Sequence, residues 1–408
     1  MKIHFKTFGC KINQCETSYM QNKVLDSGNL TSNFIGSDAI VINSCTVTSK
    51  ADNKTKQYLR KCIRLNSKAK IYMTGCYVER AKKSLEYEFP GVKCFKNSDK
   101  KNILNILGLN KVKKKFNSVS NLNNRTRVFV KIQDGCDGKC SYCIVPKVRT
   151  VMFSRDIADI TKEIKYYLSL DYKEIVLCGI RLGKYGIGNK ESKKIKGLTN
   201  LIKELETLKG YFRIRLSSIE ILDISDEIIG LIKKSNKLCH HLHIPLQSGD
   251  NEILKSMRRP YTKEIFLDKI QKIRKEIPDI GITTDVIIGY PFDNGDTLRN
   301  TYNFINKCQF SRIHIFRYSK RPGTESALLD KVCDNSLIDK WIKKCSKLDM
   351  HLRRAFALKF SGKKLDVLKE SNGYGYTSNY IYLKLPDAVL PNEITYLTMN
   401  KADLAAVC

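Results

Sequence analysis

The sequence predicts an α/β protein in three parts. They are an N-terminal parallel-sheet α/β domain, a partial (β/α)6 barrel and a small C-terminal all-β barrel. Three observations carry this prediction. Short apolar runs alternate with amphipathic helical stretches, the pattern of parallel strands joined by helices. A polar, Lys-rich stretch at 99–124 separates two such series. After Gly362 the helical period gives way to alternation.

In the first series, strands at 4–8, 39–43 and 70–74 each run into a small residue and a cysteine: Gly9-Cys10, Ser44-Cys45 and Gly75-Cys76. Helices at 14–27 and 49–65 lie between them. Parallel strands bring their C-terminal loops to one edge, where such sheets bind ligands. Three cysteines at that edge suit a shared metal group with one open position. Cys15 follows Cys10 on the next helix and is the expected outsider by placement; Cys62, Cys94 and Cys178 suit an apolar core. The stretch 99–124 is expected to be a linker, with Lys111, Lys113, Lys114 and Lys115 either solvated or facing a phosphate backbone.

The second series has strands at 128–132, 174–178, 213–218, 241–245, 280–288 and 313–318, with helices such as 161–170 and 263–277. Six units make a partial barrel, whose chemistry belongs at the strand C-termini. A long helix at 336–360 closes or underlies it. Strands at 365–370, 375–385 and 394–399 complete the chain. The domain limits are 1–110, a linker 111–124, then 125–355 and 356–408.

The densest chemistry lies in DGCDGKCSYCIVP, where Cys136, Cys140 and Cys143 have C-x3-C-x2-C spacing. Three clustered thiolates can hold three irons of a four-iron cube, which usually takes four cysteines, so one iron stays open. Structural zinc wants four ligands in paired spacings, and no partner pair follows. HHLH at 240–243 offers His240, His241 and His243, either as a metal site or as polar barrel lining. Asp285 interrupts an apolar strand, as a buried acid or a cavity group. Tyr374, Tyr376, Tyr380 and Tyr382 alternate, as in small β-barrels that stack RNA bases or as simple packing rings.

Of 408 residues, 73 are Lys or Arg and 41 Asp or Glu, a net charge of +32 that favours a polyanionic partner. Part of this excess could equally reflect a Lys-rich composition. No apolar run reaches membrane-spanning length and the N-terminus lacks an apolar signal core. The fifteen cysteines therefore suggest thiols and cluster ligands in a reducing, cytoplasmic setting.

TFGCKINQCET, INSCTVTSKADNKTKQ, TGCY, CSYCIVP, RLSSIE, HLHIPLQSGDNEIL, MRRPYT, ITTDVIIGYP and YSKRPGT together resemble the methylthiotransferase family of radical S-adenosylmethionine (SAM) enzymes, over essentially the whole chain. INSCTVT with the following SKAD and KQ is most similar to the branch acting on N6-threonylcarbamoyladenosine in tRNA. The resemblance implies two [4Fe–4S] clusters, an auxiliary one on Cys10, Cys45 and Cys76 and a SAM-binding one on Cys136, Cys140 and Cys143. It implies a radical SAM barrel and a C-terminal TRAM-like domain. Tyr142, Gly179, Ser217 and Gln247, with Ser218 and Ser248 beside them, are expected near SAM. Arg258, Arg259, Tyr376 and Tyr380 are expected on RNA, with the arginines also candidates for a substrate carboxylate.

The implied reaction replaces hydrogen at C2 of the adenine, at tRNA position 37, with a methylthio group. A second SAM supplies the methyl, and flavodoxin or ferredoxin the electron; the protein is expected to be a monomer away from membranes. Alternatives are isopentenyladenosine or a protein side chain as substrate, or a non-catalytic RNA-binding iron–sulfur protein. Thr150, Arg181, Phe292-Asp293 and Arg317 depart from the family pattern and bear on substrate contacts rather than on the cluster ligands.

Overall fold

The computed structural model describes residues 1–109, 126–187 and 197–400. In the N-terminal part, β1 (Lys2–Thr7), β2 (Ala39–Ser44) and β3 (Lys70–Gly75) are parallel with β2 central, flanked by short edge strands. Every residue of β2 is buried, as befits a strand covered on both faces. Ile40 and Ile42 meet Leu59 and Met73 on one face; Val41 meets Ile3 and Met20 on the other. The helices are α1 (Lys11–Asp26), α2 (Ser49–Leu65) and α3 (Cys76–Glu88). Thr48 caps α2 by accepting from the Ala51 N–H at 3.2 Å.

The expected linker is partly structured. Residues 97–107 are helical, and Ile103 and Leu107 bury themselves with Ile3 and Val24. Charged residues around these apolar positions hid a packing face. Lys100, inside this stretch, is buried on Glu16 (2.5 Å) and Asn43 (3.0 Å). Lys111, Lys113, Lys114 and Lys115 lie outside the described residues.

The second part has six parallel strands: β4 (Arg127–Lys131), β5 (Glu174–Cys178), β6 (Arg213–Leu216), β7 (His241–His243), β8 (Gly281–Ile288) and β9 (Arg312–Arg317). Between β6 and β7 pairing shrinks to the bridges Ile214–Leu238 and Ser218–His243. No pairing joins β4 to β9 among the described residues, so the barrel is open. Helices α4 (Ile157–Ser169), α5 (Leu198–Glu206), α6 (Asp226–Lys234), α7 (Lys263–Glu276) and α8 (Gly295–Cys308) cover it. The long helix α9 (Asn335–Leu358) places Ile338, Trp341, Cys345 and Leu348 in the barrel core. Its Asp349 accepts from the Ile313 N–H at 2.6 Å, satisfying a donor of edge strand β9.

The C-terminal strands β10 (Lys364–Lys369), β11 (Tyr374–Thr377), β12 (Tyr382–Lys384) and β13 (Ile394–Thr398) form an antiparallel sheet. This sheet plugs the N-terminal end of the barrel. Arg213 donates to the Tyr376 carbonyl (2.7 Å), and Arg215 to those of Thr377 (3.1 Å) and Ser378 (2.9 Å). Both arginines also grip Glu174, fully buried beneath them. A Cβ on Gly281 would stand 2.0 Å from the Asn379 carbonyl, so only glycine admits this contact.

The tyrosine array belongs to the same seam. Tyr380, at φ +71°, stacks on His241 (4.2 Å between rings) and on Tyr376 (4.6 Å). The Arg127 guanidinium lies over Tyr376, 4.5 Å from the ring centre. This placement runs against Tyr376 and Tyr380 stacking on RNA, because protein already covers their faces. Alternation in the sequence marks a strand, but the neighbouring domain decides what its rings meet.

Candidate active site at the seam of two domains

The loop carrying Cys136, Cys140 and Cys143 leaves a short antiparallel ribbon of Gln133–Asp134 with Phe153–Ser154. Gly135 makes the turn at φ +79°; a Cβ there would be 2.1 Å from the Val151 carbonyl. The Gly138 N–H donates to Cys136 Sγ at 3.2 Å, and Arg259 Nη1 to Cys140 Sγ at 3.3 Å. Desolvation pushes the Cys143 thiol up to about 12, and neighbouring Cys140 and Cys136 add to it. Such a trio ionises together only when a cation compensates, which a metal cluster does. The residues therefore fit the iron–sulfur group that the spacing suggests.

Arg259 is thus a correction. It was expected on RNA, but it is buried, donating to Tyr261 Oη at 3.0 Å and pairing with Glu220. Arg258, at φ +55°, stays outside on Glu325 at 2.8 Å. Tyr142 packs with Ile253, Met257 and Tyr290 beneath the cysteine loop. Ser217 is buried with an Oγ that has no hydrogen-bond partner among the described residues, an acceptor and donor left for a ligand. Gly179 is held by close approach: its Cβ would meet Leu182 Cα at 3.0 Å and Gln133 Oε1 at 3.1 Å. Gln247 sits at φ +69° where the chain leaves β7, a strained setting common at functional sites. Glu220 and Gln133 were not singled out beforehand; only RLSSIE among the quoted motifs touches either of them.

The other trio is assembled from three strand ends. Gly9 (φ +116°) and Gly75 (φ +102°) turn the chain just before Cys10 and Cys76. A Cβ on Gly9 would lie 2.6 Å from Cys45 Cβ, and one on Gly75 2.2 Å from the Ser44 carbonyl. Cys10 is the residue before α1 and Cys76 opens α3, so both lie at helix N-termini. The Val47 N–H donates to Cys45 Sγ at 3.4 Å. Burial pushes the Cys45 thiol up to about 12, and Cys76 and Cys10 raise it further, as three sulfurs facing one space must. Asn13 Nδ2 bonds the Phe8 and Ser44 carbonyls, both at 3.0 Å, and so locks two of the loops together. Cys15 points elsewhere: its Sγ donates to the Phe129 carbonyl at 3.2 Å.

The loop of one trio packs against a cysteine of the other across the domain seam. Ile144 and Val148, just beyond Cys143, pack on Cys76. Arg149 Nη1 binds Glu16 at 2.8 Å and Asp134 at 2.9 Å, and its Nη2 binds Asn13 at 2.9 Å. Arg321 reaches from beyond β9 to Ser49 (2.8 Å), Thr46 (3.3 Å) and Asp52. The INSCTVTSKAD signature is therefore a clamp between domains as well as a cysteine loop. Of the departures, Thr150 is exposed, Arg181 pairs with Asp137 and Asp223, Phe292 lies under Lys331, and Arg317 pairs with Asp339. Among the described residues no helix is long and apolar enough to cross a membrane.

Residues 130–305 match the radical SAM superfamily, and residues 2–96 match the uncharacterized protein family UPF0004. The superfamily match implies a [4Fe–4S] cluster and SAM. Among solved structures, the radical SAM methyltransferase TsrM from Kitasatospora setae superposes with a TM-score of 0.59 at 12% identity, over 80% of this chain and 77% of its own, a likeness of fold. The tRNA-2-methylthio-N(6)-dimethylallyladenosine synthase of Thermodesulfovibrio yellowstonii is 29% identical over 98% of this chain and 96% of its own. The threonylcarbamoyladenosine tRNA methylthiotransferase MtaB of Thermotoga maritima is 34% identical over 80% of this chain and 77% of its own. That of Bacillus subtilis is 35% identical over 93% of this chain and 89% of its own. The chain belongs to the threonylcarbamoyladenosine tRNA methylthiotransferase family of radical SAM enzymes.

Proposed function

We propose that this protein methylthiolates C2 of N6-threonylcarbamoyladenosine in tRNA, at position 37. The observation that carries the reading is the meeting of two three-cysteine sites across one seam, in a chain 35% identical to a curated enzyme of that name. Cys136, Cys140 and Cys143 would hold the SAM cluster, and Cys10, Cys45 and Cys76 a second, auxiliary cluster. When bound, these groups with SAM supply the radical that removes the C2 hydrogen and the sulfur and methyl that replace it. An unactivated aromatic C–H has no acidic proton, so side-chain bases alone cannot do this chemistry.

The chain's own residues contribute position and shelter. Arg259 holds Cys140 and Glu220 together, so the cysteine loop and the strand carrying Ser217 stay in register. Ser217 offers an unpartnered hydroxyl to SAM. Tyr142 and Tyr290 close the apolar side against water. Arg149 with Glu16 and Asp134 fixes the distance between the trios, which a reaction using both requires. Electrons come from an outside donor. The net charge of +32 supplies the attraction for tRNA.

The test separates the two sites. A Cys10/Cys45/Cys76 triple alanine variant should cleave SAM to 5′-deoxyadenosine yet form no methylthio product. A Cys136→Ala/Cys140→Ala variant should lose both activities and about half its iron. Mass spectrometry of tRNA digests reads the product. A folded triple variant that still thiolates tRNA would sink the assignment.

A further inference from the structure

The barrel encloses a cavity of about 250 Å³ that no cluster cysteine lines. Its wall is made by inward positions such as Ser218, His243, Asp285 and His314; Lys11 enters from the N-terminal domain and Tyr380 closes the floor. Lys11 directly follows Cys10, so the cavity begins beside the N-terminal trio.

Its charges are unequal. Arg127 and Arg215 at the floor are already matched, to Glu370 at 2.7 Å and Glu174 at 2.8 Å. Asp285 is matched to His243 Nε2 at 3.1 Å. Lys11 has no hydrogen bond or ion pair among the described residues, yet its charge is felt by both His241 and Tyr380 at the floor. Among the described residues Lys11 is the charged group of the lining left without a hydrogen bond or ion pair, and in a low-dielectric lumen such a cation attracts a negative group.

The rest of the wall is polar. His243 Nδ1 and His241 Nε2 share the Thr283 hydroxyl, at 2.8 and 3.0 Å. Burial drives His314 down to about 4, so it is uncharged near neutrality. The donor atoms of His243, Asp285 and His314 lie within 4.8 Å of one another, as a metal ion would need. Thr283 and Asp285 already occupy both His243 nitrogens, and the surrounding cations oppose a metal. The arginines first expected to meet a substrate carboxylate are engaged, Arg259 with Glu220 and Arg258 with Glu325.

We propose that this lumen receives the carboxylate-bearing N6 substituent of the target adenosine, with Lys11 as its counter-ion. The proposal rests on the substrate named above. A base lying between the two trios would direct its substituent past Lys11 into a space of this size.

The experiment uses the holoenzyme and three anticodon stem-loops of one sequence. They carry the threonylcarbamoyl acid, its methyl ester, or plain adenosine. Equilibrium binding and kcat/KM are measured for wild type, Lys11→Met and Lys11→Arg, with iron content and SAM cleavage without RNA as controls. Wild type should prefer acid over ester by about 30-fold or more, as for a desolvated charge pair. Lys11→Met should reduce that preference to about threefold with iron unchanged, and Lys11→Arg should keep most of it. A Lys11→Met protein with full iron and undiminished acid preference overturns the proposal. Should Lys11→Met lose iron, Val176→Phe decides, since Val176 also lines the cavity. Filling the lumen should remove the affinity added by the substituent but not that for plain RNA; unchanged acid binding would overturn the proposal. A wild-type enzyme that thiolates some other adenosine and ignores the acid would instead refute the substrate assignment.

Discussion

The two cysteine trios reach one seam by opposite routes. Cys136, Cys140 and Cys143 sit in a single loop whose shape is set by Gly135, Gly138 and a two-strand ribbon. Cys10, Cys45 and Cys76 come from the ends of three different strands, level only because Thr7 pairs with Asn43 and Asn43 with Thr74. A local site tolerates change elsewhere. A distributed site inherits every error of register and every strained turn in its sheet.

That difference is broken most forcefully at Gly75. Gly75→Ala puts a Cβ 2.2 Å from the Ser44 carbonyl at φ +102°, with no flexible side chain to yield. It should cost more than about 3 kcal/mol of N-terminal domain stability and remove about half the bound iron. SAM cleavage, which depends on the barrel loop, should persist. Iron analysis with calorimetry checks this, and equal loss from both sites would erase the distinction drawn here.

Acid should act next, on the seam that joins the trios. Glu16 is buried and Asp134 half-buried, yet Lys100, Arg149 and Lys131 outweigh desolvation for Glu16, and Arg149 with Lys131 does so for Asp134. Both carboxyls are therefore held below their ordinary values of 4.5 and 3.8. Groups lowered on folding stabilise the protein above those values, and the contribution is lost as pH falls through and below them. Domain contact, followed by limited proteolysis, should loosen below about pH 4.5. Arg149→Met leaves buried carboxylates without their main partner, a loss of about 3–5 kcal/mol at pH 7. Its acid sensitivity should flatten or reverse, because uncompensated buried acids gain from protonation. A variant with the wild-type pH slope would mean that the seam is held elsewhere.

The smallest effect sharpens the comparison from the other side. Cys15 is close to Cys10 in sequence but points into the seam, beside the Phe129 carbonyl. Cys15→Ala should leave iron content unchanged and lower stability by about 1 kcal/mol. Loss of iron would place Cys15 among the ligands and dissolve the three-strand arrangement.

Much of this was legible in the chain. The strands ending in Cys10, Cys45 and Cys76 and the barrel units lie within a few residues of their expected positions, because buried parallel strands leave continuous apolar runs. The stretch 99–124 reads as a linker with one short amphipathic turn; that turn proves to pack into the N-terminal domain, which its face, one turn deep among lysines, does not announce. Arg258 and Arg259 looked equivalent; the left-handed turn at Arg258 sends one out to Glu325 and the other in to Cys140.

By itself the sequence determined where thiols cluster, that three belong to one loop, and that alternating strands and helices make a parallel α/β protein with a β tail. Those properties live in spacing and period, and short-range sterics enforce them. Only the tertiary structure decided which charges are spent and which are spare. It placed Arg149 between two carboxylates, turned Tyr380 of the tail onto His241, and left Lys11 in the lumen without a hydrogen bond or ion pair among the described residues. Charge and stacking are satisfied by whatever the fold brings within a few ångströms, and partners distant in sequence leave no mark on local pattern.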